Sequence, residues 1–248
     1  MLSINKNNIE CELEFDGIKI FQTQNPTKLY KDLILDSVIN IDNKNIKLDN
    51  VIYINELTKL TDFVNLNKKS FLIKEIINLL EQYPIINISN INNIKDYINN
   101  KYQEELIDTN EGDNNKLINL FIEFINQEYL NKSLFKLILD YCFEDSKLII
   151  LDNVSWIELN DLYGWLNEHK FIIITYDFRE YIKDASELEL LVTFKQNYDY
   201  VEMLDSNKLI VYLEKHMNIE VNKEKINTWL NNKNSLESLS FLSNILKI

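Results

Sequence analysis

Two strand-length apolar runs decide the fold of this chain: Leu148-Ile149-Ile150-Leu151, ending in Asp152-Asn153, and Phe171-Ile172-Ile173-Ile174, ending in Thr175-Tyr176-Asp177. Continuous apolar runs of this length are typical of strands that are buried on both faces of a sheet. Between them, apolar residues recur at helical spacing at Leu159, Leu162, Tyr163 and Leu166. Strand, helix and strand at this spacing predict a parallel βαβ unit and therefore an α/β fold.

The chain before this unit alternates between strand and helix patterns. Apolar residues at every second position predict a strand over residues 9–15, which Asp16-Gly17 would turn into a second strand of a hairpin over residues 18–21. Further patterns predict a helix over 28–39, an edge hairpin over 39–47 and a strand over 51–54. Helical spacing then predominates from residue 68 to residue 143, including a stripe over 117–125.

The chain after the unit is less regular. Residues 187–193 fit either a helix or a strand, residues 200–211 predict a turn and a strand, and residues 223–246 predict an amphipathic helix. We therefore expect a discontinuous α/β head domain over 1–67 and 144–205 whose two parts share one sheet. An α-helical domain over 68–143 is inserted in it, and a C-terminal extension covers 206–248.

Composition limits the possible functions. The 248 residues are 46% hydrophobic, which is enough for a sizeable core, and 39 acidic residues outnumber 26 Lys and Arg to give a net charge of −13. An open basic surface for nucleic acid is therefore disfavoured. Arg179 is the only arginine, so base reading by guanidinium groups is also disfavoured.

Cysteine usage and the N-terminus indicate the compartment. Cys11 and Cys142 form no C-x-x-C pair and no disulfide framework, which favours a reducing environment. The N-terminal residues are polar, unlike a signal peptide, and the apolar runs are shorter than a membrane helix requires. We expect a soluble, cytoplasmic protein with no membrane partner.

The segment Gln22-Thr23-Gln24-Asn25-Pro26-Thr27-Lys28 follows a predicted strand and precedes a predicted helix, as a phosphate-binding loop does in nucleotide-binding proteins. Such a loop needs glycines so that backbone N–H groups converge on phosphate, and this one has none. Asp152-Asn153 resembles the acidic strand end that holds a metal in such proteins. Without a phosphate-binding loop, however, there is no phosphate-bound magnesium for it to hold. The sequence therefore predicts an NTPase-like scaffold without the active site, and no nucleotide cofactor.

Two polar groups stand out from the background. Five carboxylates in ten residues suit the all-oxygen ligation of Ca²⁺, although a solvated acidic loop is the commoner origin of such a cluster. Small groups of lysines could track a DNA backbone, although each is more often an ordinary solvated face. The acids are Glu104, Glu105, Asp108, Glu111 and Asp113, and the lysines are Lys44, Lys47, Lys68, Lys69, Lys132 and Lys136.

Three segments in this order resemble the Csn-two family of type II-A CRISPR systems. The first covers residues 17–37, and the second is VIYINELTKLTDFVNLNKKSFLIKEI at 51–76. The third is KLIILDNVSWIELNDLYGWLNEHKFIIITYDFREY at 147–181, which ends in an acid/Arg-Glu turn at Asp177-Phe178-Arg179-Glu180. The likeness covers about residues 9–205, and residues 206–248 have no counterpart that we can place in the family.

The resemblance implies a fold and a non-enzymatic function. The fold is a P-loop-NTPase-like, SMC-head-like α/β domain with a degenerate nucleotide site, an inserted extended α-helical domain and, here, a helical C-terminal tail. Family members form homotetrameric rings that thread double-stranded DNA ends through a lysine-lined hole. Calcium ions, held where Glu104–Asp113 lies, fix the helical domain against the head.

The resemblance also implies a biological role. The family supports CRISPR spacer acquisition in adaptive antiviral defence, alongside the CRISPR integrase complex and the RNA-guided effector nuclease. Two alternatives stay open from the residues alone. One is a nucleotide-dependent P-loop ATPase relative, and the other is an acidic structural interaction protein that does not bind DNA.

Overall fold

The computed structural model describes residues 1–6, 9–64, 70–82, 88–109, 122–126, 128–195 and 197–246. These residues form two compact units, one of residues 1–56 with 145–248 and one of residues 57–144. The strands are β1 (Leu2–Lys6), β2 (Ile9–Leu13), β3 (Ile18–Gln22), β4 (Val38–Ile41), β5 (Lys44–Asn45), β6 (Val51–Asn55), β7 (Ile107–Thr109), β8 (Ile122–Phe124), β9 (Leu148–Asp152), β10 (Lys170–Thr175), β11 (Leu191–Phe194) and β12 (Tyr200–Glu202). The α-helices are α1 (Pro26–Leu29), α2 (Phe71–Gln82), α3 (Ile88–Tyr102), α4 (Lys132–Tyr141), α5 (Leu159–Tyr163), α6 (Ser206–Met217), α7 (Lys223–Asn231) and α8 (Leu236–Ile245).

A six-stranded sheet in the order β12-β11-β3-β10-β9-β6 organises the first unit. Five of its strands are parallel, and only the edge strand β12 runs antiparallel, to β11. β9 and β10 are parallel neighbours in the register Leu148 to Lys170, and every residue of β9 is buried. The predicted βαβ unit is therefore confirmed. Strands β3 and β6 from residues 1–67 share this sheet with β9 to β12 from residues 144–205, as predicted, whereas the other strands of residues 1–67 do not join it.

A second, four-stranded sheet packs in the same unit, in the order β2-β1-β4-β5. Its apolar residues join Leu29, Leu33 and one face of the six-stranded sheet in a single core cluster. The predicted hairpin between residues 9–15 and 18–21 is wrong. β2 pairs with β1 instead, and β3 enters the other sheet through the turn at Gly17. The predicted edge hairpin over residues 39–47 is confirmed as β4 and β5.

Two helix boundaries differ from the sequence prediction. The helix that begins with α1 continues as a π-helical turn, Tyr30–Ile34, and ends there, because Asp36 has a left-handed backbone and Val38 begins a strand. The strand predicted over residues 200–211 stops at Glu202. The Asp205 side chain then accepts hydrogen bonds from the N–H groups of Asn207 and Lys208, and so starts α6.

The C-terminal helices pack within the first unit rather than forming a separate body. α6 and α7 contact the 3₁₀ turn Ala185–Leu190. The buried rings of Trp229 on α7 and Phe241 on α8 lie 5.5 Å apart. A buried ion pair also ties elements of this unit together, since Lys19 Nζ lies 2.6 Å from Glu202 Oε1 and donates to the Glu189 carbonyl. The contacts thus group residues 206–246 with the α/β head, whereas the sequence set them apart.

The second unit combines α2, α3 and α4 with two short strands. β7 and β8 form an antiparallel pair, so the helical stripe predicted over residues 117–125 is wrong at 122–124. The unit begins at residue 57 rather than 68. The Leu130 N–H donates to the Thr58 carbonyl, and Lys59 forms an isolated antiparallel β-bridge with Tyr129, so this segment joins the second unit. Within the described residues, every helix is too short or too polar to cross a bilayer.

Candidate functional site

The loop after β3 is held by contacts with the end of β10. The Thr23 N–H donates to the Thr175 carbonyl at 2.9 Å, and Gln22 Oε1 accepts from the Phe178 N–H at 2.7 Å. Asn25 Oδ1 caps α1 by accepting from the Lys28 N–H at 3.0 Å. The loop therefore uses side chains and a proline where a phosphate cradle would use glycines and converging N–H groups.

Asp152, at the carboxyl end of β9, is buried with only 3% of its surface exposed. Its Oδ2 atom accepts from the Thr27 hydroxyl at 3.1 Å and from the Tyr53 hydroxyl. Burial, followed by the hydrogen bond to Asp152, raises the pKa of Tyr53, which therefore stays a neutral donor. Asp152 Oδ1 is buried and has no hydrogen-bond partner among the described residues.

The neighbouring Asn153 has a left-handed backbone with φ +53°. Its N–H donates to the Ile174 carbonyl at 2.7 Å, and its Nδ2 donates to the Tyr176 hydroxyl at 3.2 Å. Asn153 Oδ1, like Asp152 Oδ1, is buried without a hydrogen-bond partner among the described residues. The sequence pointed to Asp152 and Asn153, but it missed Thr27 and Tyr53 because those contacts depend on strand order.

The turn at Asp177-Phe178-Arg179-Glu180 holds parts of the protein together through buried hydrogen bonds. Asp177 binds Arg179 with both carboxylate oxygens, at 2.8 Å from Nε and 2.7 Å from Nη2. Arg179 Nη1 reaches the Ser238 hydroxyl at 2.8 Å and the Lys233 carbonyl at 3.1 Å. Arg179 is 3% exposed, so the only guanidinium of the chain is engaged inside the protein.

The predicted DNA-binding lysines are exposed wherever the structure describes them. Lys44 lies on β5, with Lys47 shortly after it, in the first unit. Lys132 and Lys136 lie one turn apart on α4, in the second unit. Lys68 and Lys69 lie outside the described residues. The two described pairs are therefore exposed, and they lie on different units of the chain.

The predicted calcium-binding acids are described only in part, because Glu111 and Asp113 lie outside the described residues. Glu104 Oε1 accepts from the Ser133 hydroxyl at 2.7 Å. Asp108 Oδ1 accepts from the Thr109 N–H at 2.8 Å and lies 3.6 Å from Lys95 Nζ, while Glu105 is exposed. In the part of the chain that the structure describes, no three His, Cys, Asp or Glu residues are arranged to hold a metal.

Cys11 is buried and Cys142 is partly buried, and neither thiol has a nucleophile's environment. Burial first, then the Glu202 carboxylate, raises the pKa of Cys11 to about 12. Burial alone raises the pKa of Cys142 to about 12. A thiol with such a pKa is almost entirely protonated at neutral pH, and this agrees with the absence of any cysteine-based motif in the sequence.

The sheet order and the strand directions define a mixed α/β fold with a mostly parallel sheet. The crystal structure of Stu0660 of Streptococcus thermophilus is similar, with a TM-score of 0.50 and 13% sequence identity over 99% of this chain and 92% of that one. CbiO1 from Clostridium perfringens, part of the ABC transporter complex cbiONQ, has a TM-score of 0.38 and 12% identity over 93% of this chain and 98% of that one.

Sequence comparisons give no further assignment. No protein-family model matches the chain, and no curated protein matches it in sequence. The likeness to Stu0660 concerns the fold alone.

Proposed function

We propose that this chain is a non-enzymatic protein that binds double-stranded DNA ends without sequence preference, through the lysine-lined hole of a calcium-stabilised homotetrameric ring. This is the role of the Csn-two family, which its sequence resembles. The observation that carries the proposal is the loop after β3, which contacts Thr175 and Phe178 and lacks a phosphate cradle. An NTPase-like, SMC-head-like scaffold with this loop serves binding rather than hydrolysis.

Charge supports a ring over an open binding surface. A subunit with a net charge of −13 repels DNA over most of its exterior, so its lysines must be concentrated where DNA passes. In a narrow hole formed by four copies, exposed lysines would meet phosphate on every side. Lys44, Lys47, Lys132 and Lys136 are exposed and are the proposed contributors, together with Lys68 and Lys69.

Calcium would bind at the acidic segment that begins at Glu104. Glu105 is exposed and Glu104 is engaged by a neutral hydroxyl, so both keep lone pairs for a hard cation. We further propose that the chain has the extended helical insertion of this family, with a helical C-terminal tail, and that it acts with the family's partners in spacer acquisition. Those partners are the CRISPR integrase complex and the RNA-guided effector nuclease.

A second candidate function is supported by one specific observation. The buried Asp152 Oδ1 lacks a partner among the described residues, and a divalent cation would satisfy it. A nucleotide-using relative would therefore show Mg²⁺-dependent ATP turnover that is lost in Asp152→Asn. If turnover stays at the level of buffer while DNA binding is intact, this candidate is excluded.

The proposed function is tested by an electrophoretic mobility shift with linear and covalently closed circular duplexes of the same sequence. We expect calcium-dependent retardation of the linear form, loss of that retardation with a chelator, and little binding of the circle. Equal binding of both forms would contradict threading. Failure of both to shift at low salt would favour the acidic interaction protein instead.

A further inference from the structure

The last helix, α8, carries a stripe of mostly apolar residues on each of two sides. The inner stripe is completely buried and consists of Ser238, Phe241 and Ile245. The outer stripe is exposed and consists of Leu236, Leu239, Ser243 and, directly after the helix, Leu246. A helix that is apolar all round is normally buried all round, so the outer stripe of α8 calls for a partner.

The outer stripe has the spacing of a coiled-coil seam. Its four positions follow one another at intervals of three, four and three residues, so they lie on one line along the helix. Leu236 is 86% exposed and Leu239 is 49% exposed. Packing against a second helix would remove this apolar surface from water, which is favourable.

Contacts on the inner side hold α8 in place, so its outer leucines cannot turn inward. Arg179 Nη1 donates to the Ser238 hydroxyl at 2.8 Å, and the Phe241 ring lies 5.9 Å from the Phe178 ring. The Ser235 hydroxyl caps the helix by accepting from the Ser238 N–H at 3.1 Å. The outer stripe is therefore presented on a rigid helix, and this lowers the entropy that binding costs.

The outer stripe is also a place where two acidic copies of this chain can approach each other. Each copy has a net charge of −13, so copies repel one another wherever their charged surfaces meet. Glu237 is the only charged residue of α8, and its Oε2 atom accepts from Trp229 Nε1 at 2.9 Å. The leucines and serine of the outer stripe add no charge to such a contact.

Two outer stripes match when the helices run antiparallel. Around a two-fold axis at the middle of α8, Leu236 of one copy faces Leu246 of the other, and Leu239 faces Ser243. Each pair then occurs twice, as a two-fold interface requires. The small serine leaves room for the leucine opposite, whereas a parallel pair would place Ser243 against Ser243 and leave a gap.

We propose that the outer stripe of α8 packs against the outer stripe of a second copy of this chain, as an antiparallel helix pair. This contact rests on the proposed function, because it names one of the subunit contacts that the ring requires. The footprint of α8 is about 15 Å by 10 Å. A stable interface buries about 800 Å² per partner, so the helix pair acts together with other contacts between subunits.

Sedimentation velocity of the full chain without DNA tests this contact. We expect Leu236→Glu with Leu239→Glu to weaken self-association by about tenfold or more, because carboxylates would then be buried in the helix pair. Both positions are exposed, and circular dichroism verifies that the fold is kept. The matched control is Leu48→Glu with Leu57→Glu, which changes leucines that are 61% and 73% exposed outside α8 and should assemble as the parent chain does.

Cross-linking with a short bis-maleimide tests the antiparallel orientation. The variants Leu236→Cys and Leu246→Cys are made separately in a chain with Cys11→Ala and Cys142→Ala, and are then mixed. In the antiparallel pair these two positions face each other, whereas two copies of either one lie about 15 Å apart along the helix axis. We therefore expect the mixture to cross-link faster than either variant alone.

Three results would overturn the proposal. The first is self-association of the Leu236→Glu, Leu239→Glu variant at the strength of the parent chain. The second is equal weakening by the control variant. The third is cross-linking of either single-cysteine variant to itself as fast as in the mixture.

The DNA gel shift separates this contact from the proposed function. If the Leu236→Glu, Leu239→Glu variant assembles as the parent does and the parent retards linear DNA, the α8 contact alone is wrong. If that variant dissociates and the assembled parent does not retard DNA, the proposed function alone is wrong. A parent chain that is monomeric at every concentration would overturn both.

Discussion

Arg179 Nη1 donates to the Ser238 hydroxyl at 2.8 Å, and this bond joins the turn after β10 to the last helix, α8. Asp177 holds the same guanidinium from the other side with both carboxylate oxygens. The Ser238 hydroxyl in turn donates to the Trp229 carbonyl, which adds α7 to the network. One buried arginine therefore fixes two C-terminal helices to the α/β sheet.

We expect Arg179→Lys to lower the free energy of unfolding by about 2–4 kcal/mol, because lysine loses the paired bonds to Asp177 and cannot reach Ser238 together with Lys233. Urea denaturation followed by circular dichroism measures this. The control, Lys208→Gln, breaks a solvent-exposed contact of 3.9 Å with Asp205 and should leave the stability unchanged. A loss no larger than that of the control would show that the network does not hold the helices.

The chain offers a matched pair of glycines for testing backbone strain. Gly17 has φ +104°, and a Cβ there would meet Leu166 and Lys170 at 3.4 Å, whereas Gly164 has φ −62° and open space around it. We expect Gly17→Ala to cost about 1–2 kcal/mol and Gly164→Ala to stabilise by about 0.4–1 kcal/mol. Thermal and urea melts of the two variants compare them directly. The same sign for both would contradict the turn geometry at Gly17.

Stability should fall as pH rises above about 9. A thiol in the unfolded chain ionises near pH 8.5, whereas burial holds Cys11 and Cys142 protonated up to about pH 12. Between these values the unfolded state binds fewer protons than the folded state, so each thiol lowers stability by up to about 1.4 kcal/mol per pH unit.

Urea unfolding at pH 8, 9 and 10 measures this slope. Cys11→Ala with Cys142→Ala removes both thiols and should flatten the slope of stability against pH. Tyrosines that titrate in the same range are present in both chains, so the difference between the two slopes reports the thiols alone. An unchanged slope would mean that neither thiol is protected in the folded state. Slow reaction of the native thiols with a disulfide reagent at pH 8, and fast reaction in urea, is the expected companion result.

The proposed DNA-binding lysines can be tested by salt dependence. If Lys44 and Lys47 neutralise phosphates, Lys44→Gln with Lys47→Gln should reduce the slope of log K against log salt by about 2 for each subunit that contacts DNA, and by up to about 7 when all four subunits of the ring do so. Lys132→Gln with Lys136→Gln should act similarly. The charge-matched control Lys215→Gln with Lys223→Gln should keep the parent slope in a fluorescence anisotropy titration. An equal reduction by the control would assign the effect to net charge alone.

Local patterns predicted the centre of the fold but not its pairings. The apolar runs around Ile150 and Ile172 identified the parallel strands because both residues are completely buried, and burial on both faces leaves a continuous signal. The hairpin predicted at Gly17 was wrong because the Asp-Gly signal indicates where the chain turns and does not indicate which strand pairs with which. The true partner of β2 is the N-terminal strand β1, whose alternation is masked by polar residues such as Asn5.

The start of α6 shows a signal that could have been used. Asp205-Ser206 precedes Leu209 and Leu213, which lie four residues apart and are both buried. An N-cap followed by this spacing predicts a helix, in place of the turn and strand predicted over residues 200–211. The contacts of Asp152 with Thr27 and Tyr53 could not be predicted, because they bring together residues 125 and 99 positions apart.

Topological trapping shows whether the protein encircles DNA as a closed ring. The protein is bound with calcium to a linear duplex, both ends are then blocked with a bulky protein, and the complex is washed with high salt. A ring threaded on DNA should stay bound until a restriction enzyme opens an end, because salt screens the lysines but does not open the ring. Release at the same rate from blocked and unblocked duplexes would contradict the account.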